Sequence, residues 1–185
     1  MVNEEVMESA LAHLAQRRRN LRRLRFADPT ETQFTFQEIR AGEPETGVKA
    51  WLERALGNNV QQPAIYSLVV ADVVSAQQLR ASYREVRRNA NRGYVVPRNN
   101  EEVEGSTVLY VGSSKSIRQR LRQHLWRAPA KTYALNLQRW VPDQDGVVTV
   151  IVQSVMGNPD PVGIQDIEDA LWHSARPVFG KLGRH

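Results

Sequence analysis

The stretch TVLYVGSSKSIRQRLRQHLW, residues 107–126, gathers Tyr110, Lys115, Arg118, Arg120, Arg122, His124 and several serines into one run that begins as an apolar strand. Its second part reads as a helix, because Ile117, Leu121 and Leu125 recur every four residues and Ser114 or Ser116 can cap it. Arg120 and His124 then stand one turn apart on a single edge. Such a density of cations suits a polyanion. Residues 80–127 as a whole hold eleven Lys/Arg, among them Arg80, Arg84, Arg87, Arg88, Arg92, Arg98 and Arg127, against four glutamates. A solvated basic face with no partner would have the same composition, so charge alone leaves the two readings level. Two further candidates lie elsewhere: Tyr66 within an apolar run, and Glu168 beside the apolar stripe of a late helix. Taken singly, each has an ordinary explanation as a core tyrosine, a solvated arginine, a capping histidine or a surface glutamate. Only their grouping points to chemistry.

The elements that must position them are read from periodicity. At 185 residues the chain accommodates one core, and with no cysteine it has neither disulfides nor thiolate metal sites. Its start is acidic before it is apolar and has no long apolar run, so neither a signal peptide nor a membrane span is expected, and a cytoplasmic location follows. Residues 3–25 read as a helix with Met7, Leu11, Leu14, Leu21 and Leu24 on one face and Arg17, Arg18, Arg19, Arg22, Arg23 and Arg25 in its second half. That helix is read as packed on the core, as joining a second copy or a larger complex, or as an arm on phosphates. From Phe26 to Gly47 the text is polar and reads as a linker, followed by a short helix from Val48 to Leu56.

Ala64 to Ala71 is a buried strand by its continuous apolar character. Ser75 is expected to cap a helix reaching residue 91, with Leu79, Tyr83, Val86 and Ala90 inward and Arg80, Arg84, Arg87, Arg88 and Asn91 opposite. Thr107 to Val111 is a second strand, TYALNLQRW another helix, and GVVTVIVQSV a third, β-branched strand. A last helix spans Asp166 to Ala175, with Ile164, Ile167, Leu171 and Ala175 inward, and Pro177 stops it. The expected fold is α/β (α+β), a small, mainly antiparallel three-stranded sheet flanked by helices.

Taken together, these residues resemble the GIY-YIG nuclease family. Ala64-Ile65-Tyr66 stands where the family has Gly-Ile-Tyr, and Tyr110-Val111-Gly112 matches its second motif. Arg120 and His124 follow that tyrosine at the family's spacing, and Glu168 is followed by Pro177 nine residues on. The resemblance spans about residues 63–180, and YVGSSKSIRQRLRQHL is similar without a gap to the phage homing-endonuclease version. Ala64 replaces the first glycine, and Gly180 stands where the family has asparagine. The resemblance divides the chain into an N-terminal helical extension and linker, 1–62, and a nuclease-like domain, 63–185, with a helical insertion at about 72–106, as in restriction-endonuclease members.

It implies Mg2+- or Mn2+-dependent hydrolysis of DNA by a restriction, defence or repair endonuclease. Glu168 would hold the metal and Arg120 would neutralise the scissile phosphate. Tyr66 and Tyr110 would position or deprotonate the attacking water, and His124 would bond one of them or relay a proton. Arg84, Arg87, Arg88, Lys115, Arg118, Arg122 and Arg127 would hold the DNA backbone. The alternatives are a binding module on the same scaffold that has lost cleavage, suggested by Gly180, and an assembly subunit joined through the N-terminal helix.

Overall fold

The computed structural model describes residues 2–43, 47–88 and 93–182. Ten elements set the frame: α1 (Glu4–Arg23), β1 (Thr30–Thr35), α2 (Phe36–Ala41), α3 (Gly47–Leu56), β2 (Ala64–Val70), α4 (Val73–Arg88), β3 (Val108–Ser114), α5 (Ile117–Leu125), β4 (Val147–Ser154) and α6 (Pro161–Ala175). The fold is α+β. Its sheet is antiparallel and has four strands, in the order β1-β4-β2-β3, rather than the expected three.

The additional strand, β1, lies inside the stretch read as a linker. Its sequence TETQFT conceals it, because it is an edge strand that buries only Phe34 and leaves threonines and glutamate to solvent. A capping box then turns the chain into α2: Glu38 accepts from the Thr35 backbone N–H at 2.7 Å, and Thr35 Oγ1 accepts from the Glu38 N–H at 3.1 Å. The inner strands differ in the expected way. β2 pairs on both sides and is almost continuously buried, while β4 alternates, turning Val148, Val150, Val152 and Ser154 inward.

One face of the sheet carries the main core, where Tyr66, Leu68, Val150 and Val152 meet Leu79, Tyr83, Leu121, Leu125 and Phe179. A smaller cluster of Ile65, Val155 and Ile164, with Leu24, Phe26 and Ile167 against it, joins α1 and α6 to the sheet. The free edge of β3 is covered by the C-terminal segment, whose Val178 and Phe179 N–H groups donate to the carbonyls of Val108 and Leu109 at 2.8 and 2.9 Å.

Several local expectations change. Asp72, not Ser75, caps α4, its carboxylate accepting from the Ser75 N–H at 2.7 Å. Ala90, Asn91 and Arg92 lie outside the described residues. Arg80 does not join the open face of α4 but turns inward, donating to the carbonyls of Asn100 and Val103 at 3.2 and 2.8 Å. TYALNLQRW holds only a short 3-10 turn, Leu137–Arg139. The left-handed Asn136 at φ 54° breaks that segment, and its amide is committed to the backbone of Ala128 and Ala134. α6 begins earlier than expected, with Asp160 as cap and Pro161 in the first turn, and Leu171 is exposed rather than inward. No helix among the described residues is long and apolar enough to cross a membrane.

Candidate active site

The register of β2 against β3 sets the first pair of residues. Tyr66 lies opposite Gly112 and Leu68 opposite Tyr110, so both tyrosines share one face, and their rings stack at 6.1 Å between centroids. Gly112 is what permits this. A Cβ there would sit 2.6 Å from the Tyr66 hydroxyl and 2.9 Å from the Tyr110 ring. Gly112→Ala is therefore expected to destabilise the fold by about 1–3 kcal/mol, as overpacking does. A urea melt that matches the wild type would contradict the packing of Tyr66 onto Gly112.

α5 brings Arg120 and His124 over the tyrosines from the same face. Arg120 Nε donates to the Tyr66 hydroxyl at 3.1 Å, Nη2 to the Tyr110 hydroxyl at 3.3 Å, and Nη1 to Gln123 Oε1 at 3.2 Å. His124 is fully buried. Its Nδ1 accepts from the Leu135 backbone N–H at 3.3 Å, and its Nε2 lies 3.0 Å from the Tyr66 hydroxyl. Burial, and then the neighbouring Arg120 charge, hold His124 well below the usual imidazole range, so it is neutral. With Nδ1 occupied as an acceptor, the proton sits on Nε2, which donates to Tyr66. The Tyr66 oxygen thus accepts from two donors, leaving its own proton for the site.

Burial, then Tyr110, push Tyr66 above the ordinary phenol range, with Arg120 opposing them. Tyr66 is 2% exposed whereas Tyr110 is half-buried, so solvent meets Tyr110 first. Arg120 itself is lowered by burial but raised by more through the two phenols, for a net rise.

Glu168 arrives from α6, which packs beside β3. Ser113 Oγ donates to Glu168 Oε2 at 2.5 Å, and the Ser113 backbone N–H donates to the same carboxylate. Burial pushes Glu168 above the usual carboxylate range, against the pull of Ser113 and Arg120. By register Ser113 pairs with Ile65, on the face opposite the tyrosines, so the site wraps around β3. Ser113 and Gln123 were not singled out from the sequence, where hydroxyls beside a helix start read as caps. Ser116 stands at the N-cap of α5 without a side-chain cap bond, and Ser114 Oγ accepts from the Ser116 N–H at 3.0 Å in the turn before the helix.

The position of Gly180 has a backbone cause. Its φ is +105°, and a Cβ there would lie 3.1 Å from the Tyr110 ring, so asparagine at 180 would be strained against that tyrosine.

Of the expected backbone contacts, Lys115, Arg118 and Arg127 are exposed near α5. Arg122 is committed to Glu43, with Nε and Nη2 both at 2.6 Å from its Oε2. Arg84, Arg87 and Arg88 are exposed on α4. Arg84 borders a groove of about 760 Å3 shared with Val103, Ser106 and Val178, next to the covered edge of β3. A second groove, of about 720 Å3, is lined by Arg87, Arg98, Arg176, Lys181 and Trp172, with Glu101 and Glu102 also on its wall. Trp172, on its wall, follows Glu168 by one helical turn of α6, but Glu168 itself does not line the groove. Arg176 and Lys181 carried no sequence signal, being isolated cations after a helix end.

Among the described residues no three His, Asp or Glu side chains come together as a cage. A divalent ion here would rest on Glu168, water and a phosphate. One carboxylate with hard oxygen ligands fits Mg2+, which keeps several waters and is often held through one or two carboxylates and its substrate. No family model, no curated protein and no solved structure matches the chain.

Proposed function

We propose that the protein is a divalent-metal-dependent endonuclease that hydrolyses DNA phosphodiester bonds, in a restriction, defence or repair role. The observation that carries this reading is Arg120 clamped between the hydroxyls of Tyr66 and Tyr110, with Glu168 within electrostatic reach. Arginine has five N–H donors, and three are used internally. Two remain, enough for a bidentate grip on a phosphate. The internal bonds fix the guanidinium before substrate arrives, so it stabilises the developing charge without reorganising.

His124 and Arg120 hold the Tyr66 oxygen, and that hydroxyl orients the water or phosphate beside it. Tyr110, nearer solvent, is the better placed of the two to take the attacking water's proton while passing its own phenolic proton to solvent. Glu168 would hold Mg2+ or Mn2+, which when bound supplies Lewis-acid charge for the phosphate and leaving oxygen.

The direct test is supercoiled plasmid incubated with the protein and Mg2+, Mn2+ or EDTA, with any ends mapped. Metal-dependent nicking or linearisation is expected. Binding without cleavage over several DNA substrates and both metals would favour the binding-module reading. The open face of α4 offers a second check. Replacing Arg84 and Arg88 with alanine is expected to weaken DNA binding and flatten the plot of log K against log salt by roughly 0.9 per lost phosphate contact. An unchanged slope would remove this face from the interface.

A further inference from the structure

α1 is anchored only by its second half. Arg17 forms a two-pronged ion pair with Asp166, Asn20 Nδ2 donates to Asp160 at 3.0 Å, and Leu21 and Leu24 lie over Gly163 of α6. Every residue from Val2 to Leu14 is exposed. Five are large and apolar, Val2, Val6, Met7, Leu11 and Leu14; of these Met7 is 53% exposed, Leu11 61% and Leu14 61%. At 3.6 residues per turn Met7, Leu11 and Leu14 fall within an arc of roughly 60°, a continuous stripe that Leu21 carries on into the α6 contact. Single exposed apolar residues need no explanation, but a stripe on a helix that projects does. An isolated helix shorter than about 12–15 residues is marginal in water, so the free half of α1 gains from a neighbour.

The charges along this face say which neighbour. Glu4 and Glu8 flank the stripe at its start, and Arg18 and Arg22 continue the same side at its end; each pair is one turn apart, and all four are exposed. A helix that is acidic at one end and basic at the other along one face is complementary to itself reversed.

We propose that α1 pairs antiparallel with α1 of a second copy of this chain. About a two-fold axis near residues 12–13, Leu11 and Leu14 of one helix meet Leu14 and Leu11 of the other. Glu4 then faces the second copy's Arg22, and Glu8 its Arg18. Met7 lies along the aliphatic stem of the second copy's Arg18. Symmetry repeats each contact, as an isologous interface requires. Two helices about 30 Å long bury on the order of 1,000 Å2 between them, so the dimer is reversible rather than obligate. This pairing does not depend on the proposed cleavage.

Sedimentation equilibrium at low and high salt tests it with the full-length protein, the double variant Glu4→Arg/Glu8→Arg, the double variant Arg18→Glu/Arg22→Glu, and an equimolar mixture of the two variants. The wild type is expected to be a salt-sensitive dimer. Each variant should dissociate on the order of 100-fold more readily, since all four symmetry-related pairs become repulsive. The mixture should recover dimers, because one helix is then basic throughout and the other acidic. Circular dichroism identical to the wild type keeps the comparison valid, and the recovery in the mixture itself requires folded helices. A monomeric wild type, variants that remain dimeric, or a mixture that stays monomeric would each overturn the pairing. A monomeric wild type whose Arg18→Glu/Arg22→Glu variant loses DNA affinity would assign α1 to nucleic acid instead.

Discussion

Arg120→Ala is expected to slow DNA cleavage on the order of 1,000-fold under single-turnover conditions, because it removes a preorganised cation together with the donor to both tyrosines. It should also cost about 1–3 kcal/mol of stability, since the buried Tyr66 hydroxyl loses one of its donors. Arg120→Lys separates charge from geometry. An ammonium restores the positive charge but cannot bridge two phenols and a phosphate in one plane, so lysine should recover DNA binding more than rate. Single-turnover rates, denaturant melts and gel shifts on the three proteins read these effects apart. A lysine variant that cuts at the wild-type rate would mean that the clamp is structural and that only charge matters.

Glu168→Gln carries the second large effect. Cleavage should fall by at least about a hundredfold, because the amide keeps the Ser113 contacts as an acceptor but presents no charge to a metal. Stability should move in the opposite direction. Burial raises the Glu168 carboxyl in the folded state, so as pH rises the unfolded chain releases this proton first, and folding stability falls until the folded group has titrated too. At neutral pH without metal the wild type carries that penalty and the glutamine variant does not. The variant should therefore melt higher near pH 7, with the difference vanishing in acid, where both side chains are neutral. Mg2+ should raise the melting temperature of the wild type alone. Full cleavage by a folded Glu168→Gln protein would remove the metal-holding role.

Much of this frame was legible because burial leaves a period in the sequence. β2, β3, β4, α3 and α5 announced themselves through apolar runs or stripes. β1 did not, since an edge strand with one wet face carries a single buried residue, Phe34, among polar ones. The segment around Leu137 misled in the other direction: its apolar residues are buried, yet a left-handed Asn136 and the indole of Trp140 donating to the Leu135 carbonyl at 2.5 Å hold it as irregular chain.

In the site, Tyr66, Tyr110, Arg120 and His124 were readable as one group only through the resemblance to GIY-YIG motifs, with three of them in a single strand-to-helix run. Their mutual bonds were not readable. Nor was the contact between Ser113 and Glu168, which depends on how a helix some fifty-five residues away is laid on the sheet. Arg122 shows the limit of counting charges: a cation looks free in a sequence until its partner, here Glu43, is folded against it.

The covered edge of β3 has a consequence for how this protein can fail. Val108, Leu109 and Val111 form an apolar edge, and the segment from Pro177 to Gly180 shields it, bonding to Val108 and Leu109 and returning to the Arg98 carbonyl through the Gly180 N–H at 2.8 Å. Clipping the chain after Ala175 by a protease would bare a strand whose unpaired amides and carbonyls template the same strand in another molecule. The cut would also free the ring of Tyr110 from its backing at Gly180. Loss of the segment after Ala175 would thus turn damage into self-association, and the clipped molecule would leave solution as aggregate rather than persist with a half-built site.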